Sequence, residues 1–236
     1  MINNALQCGP YRAELARETR TQILDFLQPD AVDALFQCLC RDVPWQLAEH
    51  DNGESTTLAA SVYGALSVSE RAQRLQLAYD KARHGFQFAY ESYPMIEAAK
   101  QGKDPNLLLH VVLEFLNSHE FLQFARWLTA DPSIERVSAQ ATRYRSGHFL
   151  TAHDDQVASE GRQFAYVINL TRRWQADWGG MLHFLAHDGE IAASYLPRHN
   201  SLSLFRVPQM HVVSLVTPWA MEDRYAITGW FSRASS

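Results

Sequence analysis

The stretch "ATRYRSGHFLTAHDDQ", residues 141–156, lies where the sequence changes from helical to β-type patterns. It contains two short β-type runs, which are separated by Ser146-Gly147 and followed by a histidine and two aspartates. From Ile134 onward, about eight such runs follow one another within about a hundred residues, with clusters of Gly, Pro, Asn and Asp between them. This count favours a sandwich or jelly-roll barrel over alternating βαβ units.

The predicted strands are short and closely spaced. They cover residues 134–145, 148–153, 162–171, 180–186, 191–196, 200–207, 211–216 and 224–233. The turn "DWGG", from Asp177 to Gly180, predicts a hairpin connection that needs positive φ angles.

Helical signals dominate before residue 134. Pro29 stands where a first helical turn tolerates proline, and an apolar pattern with helical spacing follows it, so a helix is predicted within residues 28–40. Ser67 and Glu70 have the spacing of a capping box, which predicts a second helix that ends near Gly85.

Two further segments complete this half of the chain. Residues 106–132 predict one long apolar helix, or two helices broken near Asn117-Ser118. Residues 86–95, "FQFAYESYPM", have aromatic side chains at alternate positions and predict a strand or an extended lip.

The absence of an internal repeat or linker in the sequence predicts one domain over residues 1–236. Residues 1–133 are expected to form a helical support and lip, and residues 134–233 the jelly-roll core. The predicted fold class is mainly β with flanking helices: a double-stranded β-helix (jelly-roll) barrel supported by N-terminal α-helices.

Composition and charge give no support for several classes of partner. The net charge of −5 gives no electrostatic footprint for nucleic acid or an anionic membrane. The first residues lack the basic and apolar segments of a secretory signal, and no run approaches the ~18 apolar residues of a membrane helix. Three cysteines, an odd number, predict reduced thiols and a cytoplasmic location.

Strand geometry indicates which aspartate of "HDD" accompanies His153 in a candidate metal site. Side chains two residues apart on a strand share a face, so His153 and Asp155 are expected to face the barrel interior while Asp154 faces away. His153 is the one histidine of ten with a carboxylate two residues further on. The alternative is a solvated turn with no metal.

His211 begins another apolar β-type segment and is the second candidate histidine. Taken alone, it is better interpreted as a satisfied core or rim histidine. Two histidines and one carboxylate from separate strands, however, would form a facial triad. Such a triad leaves three metal positions open and suits non-haem iron(II) that binds a cosubstrate and oxygen.

Arg224 stands thirteen residues after His211, at the start of an otherwise apolar strand. A buried arginine is unfavourable unless an anion meets it, and its planar fork matches a carboxylate. On the alternation rule Thr228 shares its face and could add a hydroxyl. The alternative is an edge arginine paired with Glu222 or Asp223.

The order His-x-Asp, His and Arg resembles that of the 2-oxoglutarate/iron(II) dioxygenases, and among them the prolyl-hydroxylase type. The matching text includes "ATRYRSGHFLTAHDD", "YVINLT", "GGMLHFL", "PRHNSLSLFRVPQMHVVSLV" and "RYAITGWF", which together cover nearly all of residues 139–231. The segment "LNSHEFLQFARWLTAD" also resembles the bacterial and fungal branch that includes ribosomal-protein prolyl hydroxylases.

The resemblance implies roles for individual residues. It maps iron ligation onto His153, Asp155 and His211, and binding of the far carboxylate of 2-oxoglutarate onto Arg224. Tyr144, nine residues before His153, falls where such enzymes place a tyrosine that reaches the same carboxylate. The alternative for Tyr144 is a barrel-wall aromatic with its hydroxyl at the rim.

A further tyrosine is often contributed by the strand after the His-x-Asp pair. Here Tyr166 or Asn169 occupies that place, depending on the register, so the role stays unassigned. Trp230 is expected in the core or the lip.

The implied activity is hydroxylation of a prolyl residue in a polypeptide, with ribosomal proteins among the candidate substrates. The implied requirements are Fe(II), 2-oxoglutarate and O2, with ascorbate as a supporting reductant, and the products include succinate and CO2. Hydroxylation of a free amino acid or other small molecule, a non-catalytic metal-binding barrel and a zinc hydrolase are the alternatives. The zinc hydrolase leaves Arg224 unexplained, and the oligomeric state is left open.

Overall fold

One antiparallel sheet, curved into a nearly closed barrel, is the framework of the molecule. The structure is a computed structural model that describes residues 1–51 and 54–234. Its strands are β1 (Arg20–Leu24), β2 (Gln46–Asp51), β3 (Glu54–Leu58), β4 (Phe88–Tyr93), β5 (Arg136–Val137), β6 (Gln140–Tyr144), β7 (Phe149–His153), β8 (Arg162–Asn169), β9 (Leu182–Leu185), β10 (Ile191–Tyr195), β11 (Ser201–Arg206), β12 (His211–Val213) and β13 (Arg224–Ser232). They run across the sheet in the order β1-β11-β8-β13-β6-β4-β7-β12-β9-β10, with β2 and β3 joined at β4 and β5 at β13. The predicted jelly-roll barrel is confirmed.

Helices pack mainly outside this sheet. They are α1 (Gly9–Glu18), α2 (Pro29–Arg41), α3 (Ala60–Ala65), α4 (Val68–Ala82), α5 (Met95–Lys100), α6 (Leu108–Leu116) and α7 (His119–Thr129). Within the described ranges, no helix is both long enough and apolar enough to cross a membrane.

Two helix predictions are confirmed by their capping contacts. The Glu70 carboxylate accepts from the Ser67 backbone N–H at 2.7 Å, and Ser67 Oγ accepts from the Glu70 N–H at 3.3 Å, which is the reciprocal capping box. The segment 106–132 forms two helices rather than one. Its break is fixed by Asn117, which donates to the carbonyl of Val137 and accepts from its N–H, both at 2.9 Å.

The first half of the chain contributes more to the sheet than the sequence predicts. Residues 86–95 contain β4, which lies inside the sheet between β6 and β7, whereas β1, β2 and β3 were not predicted. β1 pairs with β11, so Arg20 lies opposite Phe205. The residues of β1 themselves carry little strand signal, because strand formation depends on packing against the partner strand, which is distant along the chain.

The "DWGG" prediction is half wrong. Gly179 and Gly180 have φ angles of 67° and 60°, as predicted, but the strands on either side, β8 and β9, do not pair. The segment instead crosses to another part of the barrel. A Cβ on Gly179 would lie 1.9 Å from the carbonyl oxygen of Leu215, so the close approach requires glycine.

The two faces of the sheet have different surroundings. On β8, Phe164, Tyr166 and Ile168 belong to a large core shared with the helices, while Ala165 and Val167 face the barrel interior. The interior cluster comprises the buried side chains of Tyr144, Ala165, Leu182, Phe184, Phe205, Val213 and Val216. It surrounds the cavity that contains the candidate site.

Candidate metal centre and cosubstrate pocket

The structure brings His153, Asp155 and His211 together. β7 and β12 are neighbours, and His211 lies directly opposite His153 in their register. Asp155 Oδ1 lies 3.5 Å from His153 Nε2, and Asp155 Oδ2 lies 3.5 Å from His211 Nε2. One ligand atom from each residue falls within 4.8 Å of the others, a spacing that fits one metal ion.

Backbone contacts orient both imidazoles. Nδ1 of His153 lies 2.9 Å from the carbonyl oxygen of Thr151, and Nδ1 of His211 lies 2.7 Å from that of Gln209. A proton on each Nδ1 satisfies these carbonyls and leaves the Nε2 lone pair free for a metal. Burial, together with the nearby His153, lowers the pKa of His211 to about 4, so this ring is neutral at pH 7.

Asp155 reaches the histidines by a different route from the predicted one. β7 ends at His153, so strand alternation does not extend to Asp155, which has a φ of 63°. Asp154 instead forms a local turn, accepting from the Gln156 N–H at 3.0 Å. Burial raises the pKa of Asp155, but contacts with His153 and His211 outweigh it and hold the pKa below its usual value.

Arg224 lies inside the barrel without a protein counter-charge among the described residues. Its side chain is buried, and its Nε has no hydrogen-bond partner there. The alternative pairing does not occur: Glu222 binds Arg173 at 3.0 Å, and Asp223 faces Arg143 at 3.9 Å on the other side of the sheet. A buried guanidinium in this situation is stabilised by an anionic ligand.

Tyr144 lies directly opposite Arg224 in the register of β6 and β13. The Arg224 Cζ is 5.1 Å from the centroid of the Tyr144 ring, and the Tyr90 ring stacks on Tyr144 at 4.9 Å. Tyr144 is 4% exposed, so it does not sit at the rim. Burial raises its pKa well above the usual value, which keeps the phenol protonated and able to donate.

One cavity of about 1180 Å³ connects these residues. It is lined by all six residues singled out in the sequence, namely Tyr144, His153, Asp155, His211, Arg224 and Thr228. From there it extends along β3, at Ser55 to Thr57, and towards α5 and α6. Phe86, Phe88 and Tyr90 form an aromatic wall along it.

The two candidate residues on β8 lie on opposite faces of the strand. Tyr166 packs in the helix-side core and also lines part of the cavity, and its hydroxyl donates to the carbonyl of Ser138 at 2.9 Å. Asn169 lies on the opposite face and donates from Nδ2 to Ser201 Oγ at 3.1 Å, while its Oδ1 has no partner among the described residues.

Two further residues line the site. Trp230 packs against the interior cluster, which agrees with the core or lip expected for it. It also lines the cavity, together with Arg162, which was not identified from the sequence. Both carried a signal, since Trp230 shares the strand face of Arg224 and Thr228 by alternation. Arg162 is, like Arg224, a charged residue at the start of an apolar strand.

Known proteins match this region. Residues 139–232 match the model of the 2OG-Fe(II) oxygenase superfamily. Prolyl 3-hydroxylase OGFOD1 of Xenopus laevis is 33% identical over 125 residues, which is 49% of this chain and 24% of that protein. The chain thus spans about a quarter of the length of the curated relatives it matches.

Solved structures share the fold over a greater length. A prolyl-4-hydroxylase from Pseudomonas putida aligns with 97% of this chain and 100% of its own at 21% identity and a TM-score of 0.52. A prolyl hydroxylase from Trichoplax adhaerens, solved with a hypoxia-inducible-factor peptide, aligns with 96% of this chain and 89% of its own at 16% identity and a TM-score of 0.55. Residues 139–232 are thus similar to the 2OG-Fe(II) oxygenase superfamily, and nearly the whole chain shares the fold of solved prolyl hydroxylases.

Proposed function

We propose that this protein is an iron(II)- and 2-oxoglutarate-dependent dioxygenase that hydroxylates a prolyl residue of a polypeptide. The observation that carries the proposal is the buried Arg224, whose Nε has no partner among the described residues, in the same cavity as a His-Asp-His cluster. The cluster alone would suit several metals, whereas the arginine adds a site for a carboxylate.

The donor set fits iron(II). His153 and His211 offer imidazole nitrogen ligands, and Asp155 offers an ionised carboxylate, which together leave part of the coordination sphere open. Bound there, iron(II) would supply oxygen activation, coupled to conversion of 2-oxoglutarate to succinate and CO2.

The rest of the cavity would hold the cosubstrate. The Arg224 guanidinium can bind its far carboxylate as a fork, with a hydrogen bond from the Tyr144 hydroxyl and a further one from Thr228. The apolar side chains of the interior cluster exclude water from this end of the barrel.

A polypeptide fits the cavity better than a free amino acid. Its volume of about 1180 Å³ exceeds the roughly 300–1,000 Å³ of ordinary small-molecule pockets, and it continues past the metal cluster along β3. The Phe86 ring lies 5.8 Å from that of His153, so a prolyl ring beside the metal would meet an aromatic face. By resemblance, ribosomal proteins are candidate substrates.

We also propose that residues 1–236 act as one domain in the cytoplasm. The single domain is supported by β1 and β4, which pair with strands of the second half of the chain. The cytoplasmic location is supported by the odd number of cysteines, all three of which are free thiols.

The test is an assay of purified protein with Fe(II), ascorbate and 2-oxoglutarate, in which succinate is measured with and without proline-containing peptides. We expect succinate to increase with such a peptide, and the peptide to gain one oxygen atom on proline by mass spectrometry. Increase with free amino acids alone would favour the small-molecule alternative. Absence of succinate under every condition would favour a non-catalytic metal-binding barrel.

A further inference from the structure

A second set of contacts surrounds Asp155, and it comes from β8 and β13. Arg162 Nη1 donates to the backbone carbonyl of Asp155 at 3.1 Å and lies 3.9 Å from its Oδ1. The other edge of the guanidinium binds the Glu160 carboxylate at 2.8 Å. Its face covers Trp230, with Cζ 3.5 Å from the ring centroid. Arg162 is thus fixed on three sides while it holds the Asp155 peptide.

Asp155 needs such support more than the histidines do. His153 and His211 lie within paired strands, whereas Asp155 follows the end of β7. Its φ of 63° is unfavourable for a residue with a Cβ. Relaxation of this backbone to negative φ would turn the carboxylate away from the histidines.

Trp230 contributes more than a surface for stacking. Its Nε1 is buried and has no hydrogen-bond partner among the described residues. Its ring lies against the guanidinium of Arg162, the group that holds the Asp155 peptide, and it lines the same cavity as Asp155. An indole N–H without a partner in the described part of this cavity is available as a hydrogen-bond donor to the Asp155 carboxylate.

We propose that Arg162 and Trp230 are positioning residues that hold Asp155 in its metal-binding conformation before a metal arrives. The inference relies on the proposed function in one respect, namely that Asp155 is a metal ligand. It goes further because it assigns the orientation of Asp155 before metal binding to Arg162 and Trp230, which stack on each other. Loss of such supporting contacts weakens metal binding by about 10–100-fold in characterised sites.

The test measures metal affinity without turnover. Metal-free protein is titrated with Mn(II) by calorimetry, and amide hydrogen exchange is followed across residues 154–161. Arg162→Met keeps the aliphatic stem but removes the donors, so we expect about 10-fold or greater loss of Mn(II) affinity and faster exchange in that segment. Trp230→Phe keeps a ring but removes the N–H, so we expect a smaller loss.

Arg206→Met is the matched control. Arg206 also covers an aromatic ring, that of Phe164 at 5.2 Å, but it does not line the cavity. We expect unchanged Mn(II) affinity and unchanged exchange in residues 154–161. Thermal unfolding of each variant shows whether it is folded.

Asp155→Ala distinguishes failure of the positioning role from failure of the metal site itself. If Asp155→Ala removes Mn(II) binding while folded Arg162→Met and Trp230→Phe bind like the unaltered protein, the positioning role is wrong and the metal site stands. If Asp155→Ala binds Mn(II) as tightly as the unaltered protein, the metal site itself is wrong.

Discussion

Arg143 and Arg224 lie on the neighbouring strands β6 and β13 but on opposite faces of the sheet. On the outer face, Arg143 forms an ion pair with the fully buried Glu91 and lies 5.1 Å from the Trp45 ring centroid. On the inner face, Arg224 is buried more deeply than the partly exposed Arg143, yet its Nε has no partner among the described residues. A buried arginine that is paired contributes to the fold, while one left unpaired indicates a ligand.

The largest expected effect comes from breaking the outer pair. Arg143→Met leaves the Glu91 carboxylate without its main partner, and removal of one member of a buried ion pair typically lowers the free energy of unfolding by about 3–5 kcal/mol. Urea unfolding followed by circular dichroism measures this loss. Binding of 2-oxoglutarate to the fraction that remains folded should be unchanged. A variant as stable as the unaltered protein would contradict the structural role of Arg143.

Loss of the inner arginine, Arg224, should affect activity strongly and stability little. Arg224→Ala should abolish turnover at ordinary 2-oxoglutarate concentrations, because loss of one side of a buried charge pair costs about 2–5 kcal/mol of binding. Stability should fall little, since no protein carboxylate loses a partner. Succinate production and calorimetric binding of 2-oxoglutarate give the two readouts. Near-normal succinate production would show that Arg224 does not bind the cosubstrate.

The free energy of unfolding should depend on pH through His148, which lies buried near Arg145 on the outer face. Burial lowers the pKa of His148 from 6.5 to about 4, so the folded state keeps the ring neutral while the unfolded state takes up a proton. Its contribution to stability is complete above pH 6.5 and is lost as the pH falls towards 4, by about 3 kcal/mol in total.

His148→Asn retains an acceptor for the Arg145 N–H, which donates to His148 Nδ1 at 3.1 Å. The variant should therefore lose less stability between pH 7 and pH 4 than the unaltered protein. Unfolding curves at both pH values measure the difference. Identical pH dependence in the two proteins would contradict the neutral state of His148.

The smallest expected effect tests how far the anion site extends beyond Arg224. Thr228→Val preserves shape but removes one hydroxyl, so 2-oxoglutarate binding should weaken by about 1 kcal/mol, the usual value of one hydrogen bond. The apparent KM for 2-oxoglutarate should rise while kcat stays close to that of the unaltered enzyme. An unchanged KM would remove Thr228 from the cosubstrate pocket.

Much of the second half of the fold could be predicted, because each strand there carries its own pattern. Short apolar segments bounded by turn residues identify β6 to β13 without knowledge of their partners. β1 to β3 could not be found in this way. β1, for example, is defined by its pairing with β11, and β2 by its pairing with β3 and β4.

The site shows the same division. His153, His211 and Arg224 stand out by residue type on apolar strands, and the structure brings them to one cavity. Asp155 was chosen by an alternation argument that does not apply, since the strand ends two residues earlier. What orients it is a hydrogen bond from Arg162, and a contact between separate elements has no spacing that a sequence displays.

The position of β13 has a consequence for the order in which the protein becomes active. β13 leaves the ribosome after the other twelve described strands, yet it lies in the middle of the sheet between β8 and β6. Because domains fold largely as units during synthesis, a nascent chain without β13 has an open gap where the two sides should join. The complete lining of the cavity, which includes Arg224, and the joined sheet therefore arise in the same step, and a chain released before Arg224 lacks both.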